Sequence, residues 1–262
     1  FNNTYPVLHT GNLWIERGYN ICVFYWNQFS DEPDIKVAEK KIYTNGPHRC
    51  AIKSSRSNSG NGPETVSFHL YGDSDTLSIA KQLRDEYMKY FSKENGYNGK
   101  VTMVGHSMGG QLVIEASRLL LFNSVSNDSS NISNIELPCF EKLCVIDPFF
   151  SSGTKNYIND SLNSYNSVAD RATETLKKIK TYHPNVVLET QITSIVGEGW
   201  LGSHCAGLQK FTTYRTHLLP DMFWMNVKDR HCIAHHIFMC EILINSGNDD
   251  DQIELKKKDK DV

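Results

Sequence analysis

VTMVGHSMGGQ, residues 101–111, is the stretch on which the reading of this chain turns. Thr102, Met103 and Val104 predict a short buried strand, and Gln111 to Leu121 predicts a helix. Between them Gly105-His106-Ser107-Met108-Gly109 matches G-x-S-x-G. In that motif a tight strand-to-helix turn strains a serine and exposes its hydroxyl. Glycines two residues before and two after Ser107 keep side chains away from the neighbouring strand and helix. The hydroxyl then stands at the head of a helix, whose free N–H groups favour developing negative charge. The five residues alone also fit a glycine-rich turn with an idle serine.

Working outward, Ile21 to Trp26 is a nearly continuous apolar run, expected of a strand buried on both faces. Asp31 to Tyr43 predicts a short surface helix, and residues 47–63 a long loop rich in Ser, Asn and Gly. Asp73 to Phe91 has helical spacing, with Asp73 or Ser74 as its cap. After the 101–121 unit come a polar loop (122–134) and a buried strand at Leu143 to Ile146, ended by Asp147-Pro148. Ser161 to Tyr182 predicts a long amphipathic helix, Val186 to Val196 and Phe211 to Leu218 strands, and His236 to Ile244 an apolar helix. Strands alternating with helices predict an α/β domain over residues 1–247, with a mostly parallel sheet covered on both faces. The charged residues 248–262 read as a disordered tail. Sites in such sheets form beyond the carboxyl ends of strands, where both Ser107 and Asp147 fall.

The chain has 262 residues, enough for one large domain, and its 39% hydrophobic content supports a sizeable core. A formal net charge of −3 provides no basic field for nucleic acid. With no run of eighteen apolar residues, no transmembrane segment is expected. The chain begins at Phe1 without a signal-peptide pattern, which reads as a processed chain or a fragment. Seven cysteines match no zinc spacing. Cys22, Cys144 and Cys240 sit in apolar patterns and read as buried thiols. Cys205 and Cys232 sit in loop-like contexts and are candidates for pairing. Sequons at Asn2, Asn127, Asn131 and Asn159 tilt the expected location towards the secretory route.

A serine hydroxyl needs a histidine to take its proton and an acid to orient that histidine. Candidates occur in the order Ser, acid, His, the order of one class of serine hydrolase. For the acid there are two, Asp147 and Glu198, each after a strand beyond the 107 turn; Asp147 is preferred. For the base there are three, His231, His235 and His236. The backbone N–H of Met108 is the expected oxyanion donor. The three histidines also raise a metal reading, but the adjacent His235 and His236 point apart on a helix and H-E-x-x-H is absent, so no metal or other cofactor is expected.

These patches together resemble the α/β-hydrolase superfamily, and within it the pancreatic and lipoprotein lipase family. Gly105-His106-Ser107-Met108-Gly109-Gly110 is similar to that family's G-H-S-L-G-A, and Val145-Ile146-Asp147-Pro148 to its G-L-D-P. His236, followed by an apolar helix and Ser246, is similar to its histidine segment, so the resemblance favours His236, with His235 as the alternative. Arg17-Gly18-Tyr19-Asn20 through Asp31-Glu32 also resembles lipase-like hypothetical proteins of fungi, oomycetes and protists. The resemblance spans roughly residues 15–246. It implies an α/β-hydrolase fold and a carboxylic ester hydrolase working through an acyl-enzyme. Its substrate would be an ester or lipid, met through transient contact with a lipid surface.

Two departures stand out. The interval from Ser107 to Asp147 is longer than in that family, and the polar loop 122–134 accounts for the excess. The family's H-G loop, source of a second oxyanion donor, finds only His9-Thr10-Gly11 here, too close to Ile21 for a full intervening helix. The expectation is therefore a domain short of its N-terminal strands, with an open sheet position beside the 101–104 strand. A lipase-like binding or structural protein without catalysis is the alternative function. Apolar bulk between 197 and 224 is a candidate covering loop, or else ordinary core and strand.

Overall fold

The computed structural model describes residues 10–53, 66–92, 95–122, 140–159, 164–194 and 206–216, together with 231, 232, 234, 238 and 239. In chain order its elements are α1 (Thr10–Glu16), α2 (Asn27–Ser30), α3 (Ile35–Tyr43), β1 (His48–Lys53), β2 (Val66–Tyr71), α4 (Ile79–Phe91), β3 (Val101–His106), α5 (Met108–Phe122), β4 (Phe140–Ile146), α6 (Val168–Tyr182), β5 (Val187–Ile192), α7 (Ala206–Gln209) and β6 (Thr213–Thr216). The fold is mixed α/β. Among the described residues, four parallel strands form the main sheet in the order β3-β4-β5-β6, and β1 and β2 form a separate antiparallel pair.

Strand alternation sorts the sheet's two faces. Met103, Leu143, Val145 and Leu188 point to one side and join the main core with Val113, Leu120, Leu176 and Ile179 of α5 and α6. Cys144 and Ile146 point to the other, where Ala234 and Phe238 cover them. α5 lies between the sheet and its neighbouring helices, which is why it is apolar nearly all round and buried almost throughout. Caps set three helix starts. Asp34 accepts from the Lys36 amide, Ser78 from Lys81, and Ser167 from Asp170.

Several expectations are corrected. Ile21 to Trp26 is not a strand among the described residues; Val23 is 61% and Tyr25 76% exposed. An apolar run becomes a buried strand only where a sheet edge takes up its backbone groups. Here Phe24 and Trp26 instead pack inward on the cluster of Phe29, Ile42, Ile79 and Leu112. Cys22, expected inside, is exposed with that segment, whereas Cys144 is buried. Cys232, a candidate for pairing, is a free and exposed thiol. The expected loop 47–63 contains β1, whose partner β2 gives Arg49 a ring to stack on, 4.4 Å from the Phe68 centroid. α4 starts later than its period suggested, because Asp73 spends its carboxylate on the Asp75 amide in a turn and leaves the capping to Ser78. α6 likewise begins at Val168 and not at Ser161.

Within the candidate covering stretch, residues 206–216 form α7 and β6, with Leu208 fully buried. Thr10 and Gly11 open α1, and among the described residues β3 is an edge strand of the sheet. Among the described residues no helix is long and apolar enough to cross a membrane.

Candidate active site

Ser107 and Asp147 are the two non-glycine residues with positive φ among those described, at 56° and 41°. Each sits at the carboxyl end of a parallel strand, Ser107 after β3 and Asp147 after β4. Left-handed backbone is costly for residues with a Cβ, on the order of 1–3 kcal/mol, and persists only where the surroundings over-determine it. Here the two turns are stitched together. The Ser107 amide donates to the Ile146 carbonyl at 3.0 Å, and the Ser107 carbonyl accepts from Gly110 at 2.9 Å and Phe149 at 3.3 Å. The Asp147 amide donates to the Gln191 carbonyl at 2.8 Å. α5 starts at Met108, so the Met108 N–H belongs to the first turn, whose amides have no intrahelical acceptor.

The glycines around Ser107 divide their roles differently from the motif-level expectation. A Cβ on Gly105 would overlap the Gly109 carbonyl and come within 2.6 Å of the Val113 side chain. A Cβ on Gly110 would lie 3.1 Å from Pro148, in the turn that carries Asp147. A Cβ on Gly109 would meet nothing within 4 Å. Gly105→Ala is therefore expected to destabilise the fold by at least the ~1–3 kcal/mol typical of overpacking. Gly109→Ala should be neutral or slightly stabilising, since alanine is the better helix former. Urea titration of the two variants checks this, and equal losses would contradict it.

The Asp147 side chain is wholly buried. Its Oδ1 accepts from the amides of Thr193 at 2.6 Å and Ser194 at 3.2 Å, and its Oδ2 from the Thr193 hydroxyl at 2.6 Å. The Nδ1 of His231 completes the set, 3.3 Å from Oδ2. Burial alone would raise this carboxyl's pKa. The hydrogen bonds from His231, Thr193 and Ser194 outweigh it and hold the group below its ordinary value.

A carboxyl depressed in the folded state stabilises the fold above its unfolded pKa and loses that contribution as pH falls through the lower folded value. Asp147 should therefore make the chain acid-sensitive from about its ordinary value of 3.8 downward. Asp147→Asn should flatten the fall in unfolding free energy over that range. An identical acid limb in both proteins would contradict the assignment.

His231 has helical backbone, and its ring stands 4.5 Å, centroid to centroid, from that of His106, the residue before Ser107. The His231 carbonyl accepts from His106 Nε2 at 2.7 Å, which docks the His231 segment on the end of β3. If Nδ1 carries the proton given to Asp147, Nε2 is left as the basic nitrogen. Among the described residues no side chain hydrogen-bonds the Ser107 hydroxyl. His235, His236 and Glu198 lie outside the described residues. The structure thus joins Asp147 to His231 and sets both beside the Ser107 turn.

Sequence reasoning missed Thr193 and Ser194, the donors that hold the acid. Their signal was positional: a Thr-Ser pair directly after β5, the strand next to β4. Among the described residues no group of three or more His, Cys, Asp or Glu could hold a metal ion. Set against known proteins, the chain matches no family model, no curated protein and no solved structure.

Proposed function

We propose that this chain is a serine hydrolase of the α/β-hydrolase type, a lipase-like carboxylic ester hydrolase, with Ser107 as nucleophile, His231 as base and Asp147 as acid. The observation that carries the reading is the strained Ser107 at the head of α5 beside a buried, hydrogen-bonded Asp147–His231 pair. An idle serine has no need of positive φ, and a structural aspartate has no need of an imidazole at the mouth of the neighbouring turn.

In this mechanism Ser107 Oγ attacks the ester carbonyl carbon while His231 Nε2 takes the hydroxyl proton. The resulting oxyanion faces the Met108 N–H and the N-terminal turn of α5. Collapse of the tetrahedral species breaks the bond to the alcohol, which leaves with the proton held by His231. Water then attacks the acyl-serine, again giving its proton to His231, and the carboxylic acid departs with Ser107 restored. Asp147 holds the imidazole in the required tautomer and stabilises its cation.

One observation favours the second reading, a lipase-like binding protein without turnover: the Ser107 hydroxyl has no hydrogen-bond partner among the described residues. A fluorophosphonate probe separates the two. The hydrolase reading expects a covalent adduct on the peptide containing Ser107, located by mass spectrometry. Unmodified Ser107 in folded protein supports the binding protein.

A further inference from the structure

The other side of the Asp147 turn rests on a second buried carboxylate, Glu39 of α3, which has no exposed surface. Its Oε1 accepts from the hydroxyls of Ser151 and Tyr157, both at 2.6 Å. Its Oε2 accepts from the Ser151 amide and the Gln111 side-chain amide, both at 2.9 Å. Four donors therefore converge on one carboxylate, and among the described residues no lysine or arginine pairs with it. A buried charge is tolerated only when hydrogen bonds replace its hydration. No uncharged side chain of this size can accept four such bonds at once.

Three of the four donors come from the helix that follows Ser107 and the segment that begins at Asp147; the fourth, Tyr157, stands in the 3-10 turn Asn156–Ile158. Gln111 is on α5, one helical turn beyond Ser107, and its side-chain amide also donates to the Phe149 carbonyl. Ser151 ends the short segment that begins at Asp147. In that segment Phe149 already donates its N–H to the Ser107 carbonyl, and Phe150 is anchored in the main core. Tyr43 adds a hydrogen bond to Gln111 at 3.2 Å and stacks on Tyr157, closing the network from α3. One carboxylate thus ties the turn after β4 to the helix after β3. Ser107, just before that helix, and Asp147, in that turn, are the two non-glycine residues at positive φ among those described.

We propose that Glu39 is a positioning residue for the hydrolytic site: by accepting from Ser151 and Gln111 together, it clamps the Asp147 turn onto the nucleophile helix and keeps the Asp147–His231 hydrogen bond in register with Ser107. Glu39 touches neither the reacting atoms nor His231, so it acts only through Asp147 and Ser107. The inference rests on the serine-hydrolase reading for its consequence in rate, but its structural half can be read without turnover.

The experiment compares Glu39→Leu and Glu39→Gln with the unmodified chain. Leucine fills the space but removes the acceptor that the four donors share. Glutamine can keep its oxygen towards the Ser151 and Gln111 amides while its NH2 faces the Ser151 and Tyr157 hydroxyls, which rotate to accept. In folded protein, Glu39→Leu should lower the rate of fluorophosphonate labelling and the kcat for a soluble ester on the order of 10²-fold, as expected for a misplacement near 1 Å, with KM unchanged. Glu39→Gln should restore most of that loss. A purely structural Glu39 would lower the folded fraction but leave kcat per folded molecule intact, and that result would overturn the proposal.

If Glu39→Leu does not fold, Ser151→Ala, which removes only one hydroxyl donor, takes its place with a smaller loss of the same kind. The second readout is the downfield NMR proton of the His231–Asp147 hydrogen bond, assigned by its disappearance in His231→Gln. It should broaden or vanish in Glu39→Leu and persist in Glu39→Gln. An unchanged resonance overturns the clamp even if the unmodified chain proves unreactive. Lack of labelling in the unmodified chain counts against the hydrolase reading alone.

Discussion

Ser107→Ala should abolish fluorophosphonate labelling and lower ester hydrolysis by about 10⁴- to 10⁶-fold, a loss confined to kcat. The size follows from the residue's place. In the proposed mechanism Ser107 contributes the atom that forms the acyl bond, and no neighbouring hydroxyl shares its turn: His106 precedes it and Met108-Gly109-Gly110 follows. What remains after its removal is the oxyanion-stabilising helix end and the bound substrate, which together leave modest catalysis over water. The variant should fold normally. Alanine and serine both carry a Cβ, so the strain at a φ of 56° is the same in each, and the backbone bonds to Ile146, Gly110 and Phe149 do not involve the side chain. An unchanged unfolding midpoint with vanished activity is the expected pair of results. Undiminished hydrolysis by this variant would sink the mechanism.

The strand-to-helix turn at Ser107 was legible because everything that makes it is local: strand-forming residues, a glycine where strand and helix nearly touch, then a helix-forming run. Asp147 was legible for the same reason, standing at the end of an apolar strand. The stretch Ile21 to Trp26 misled because a short apolar run carries no period of its own, and whether it becomes a strand depends on an edge to pair with. β1 was missed because His48 to Lys53 is half polar and gains its place from β2, across a long intervening segment. The Glu39 network lay out of reach for a deeper reason. Glu39 and Ser151 are 112 positions apart, and no periodicity marks a carboxylate that accepts from a distant backbone amide. Conversely, helical spacing alone could not choose among three histidines in six residues, since the choice depends on how that segment meets the end of β4.

That choice can be made by experiment. His231→Gln should cost on the order of 10⁴-fold in kcat, and Asp147→Asn a similar amount, because an asparagine amide in place of Oδ2 holds the wrong imidazole tautomer. The double variant should be little worse than either single one. In the proposed mechanism Asp147 acts on the reaction only through the ring it orients, and residues that work as a unit lose their contribution together. Losses that multiplied instead would mean that His231 and Asp147 serve separate ends. The matching control is His236→Gln, at the position that the lipase resemblance favours. With His231 as base, His236→Gln should keep most of the activity, because the acid's imidazole contact, Asp147 Oδ2 to His231 Nδ1, is already made at 3.3 Å. If His236→Gln proves the more damaging, the base is His236. His231 would then be a second imidazole on the buried carboxylate, holding the acid in place together with Thr193 and Ser194.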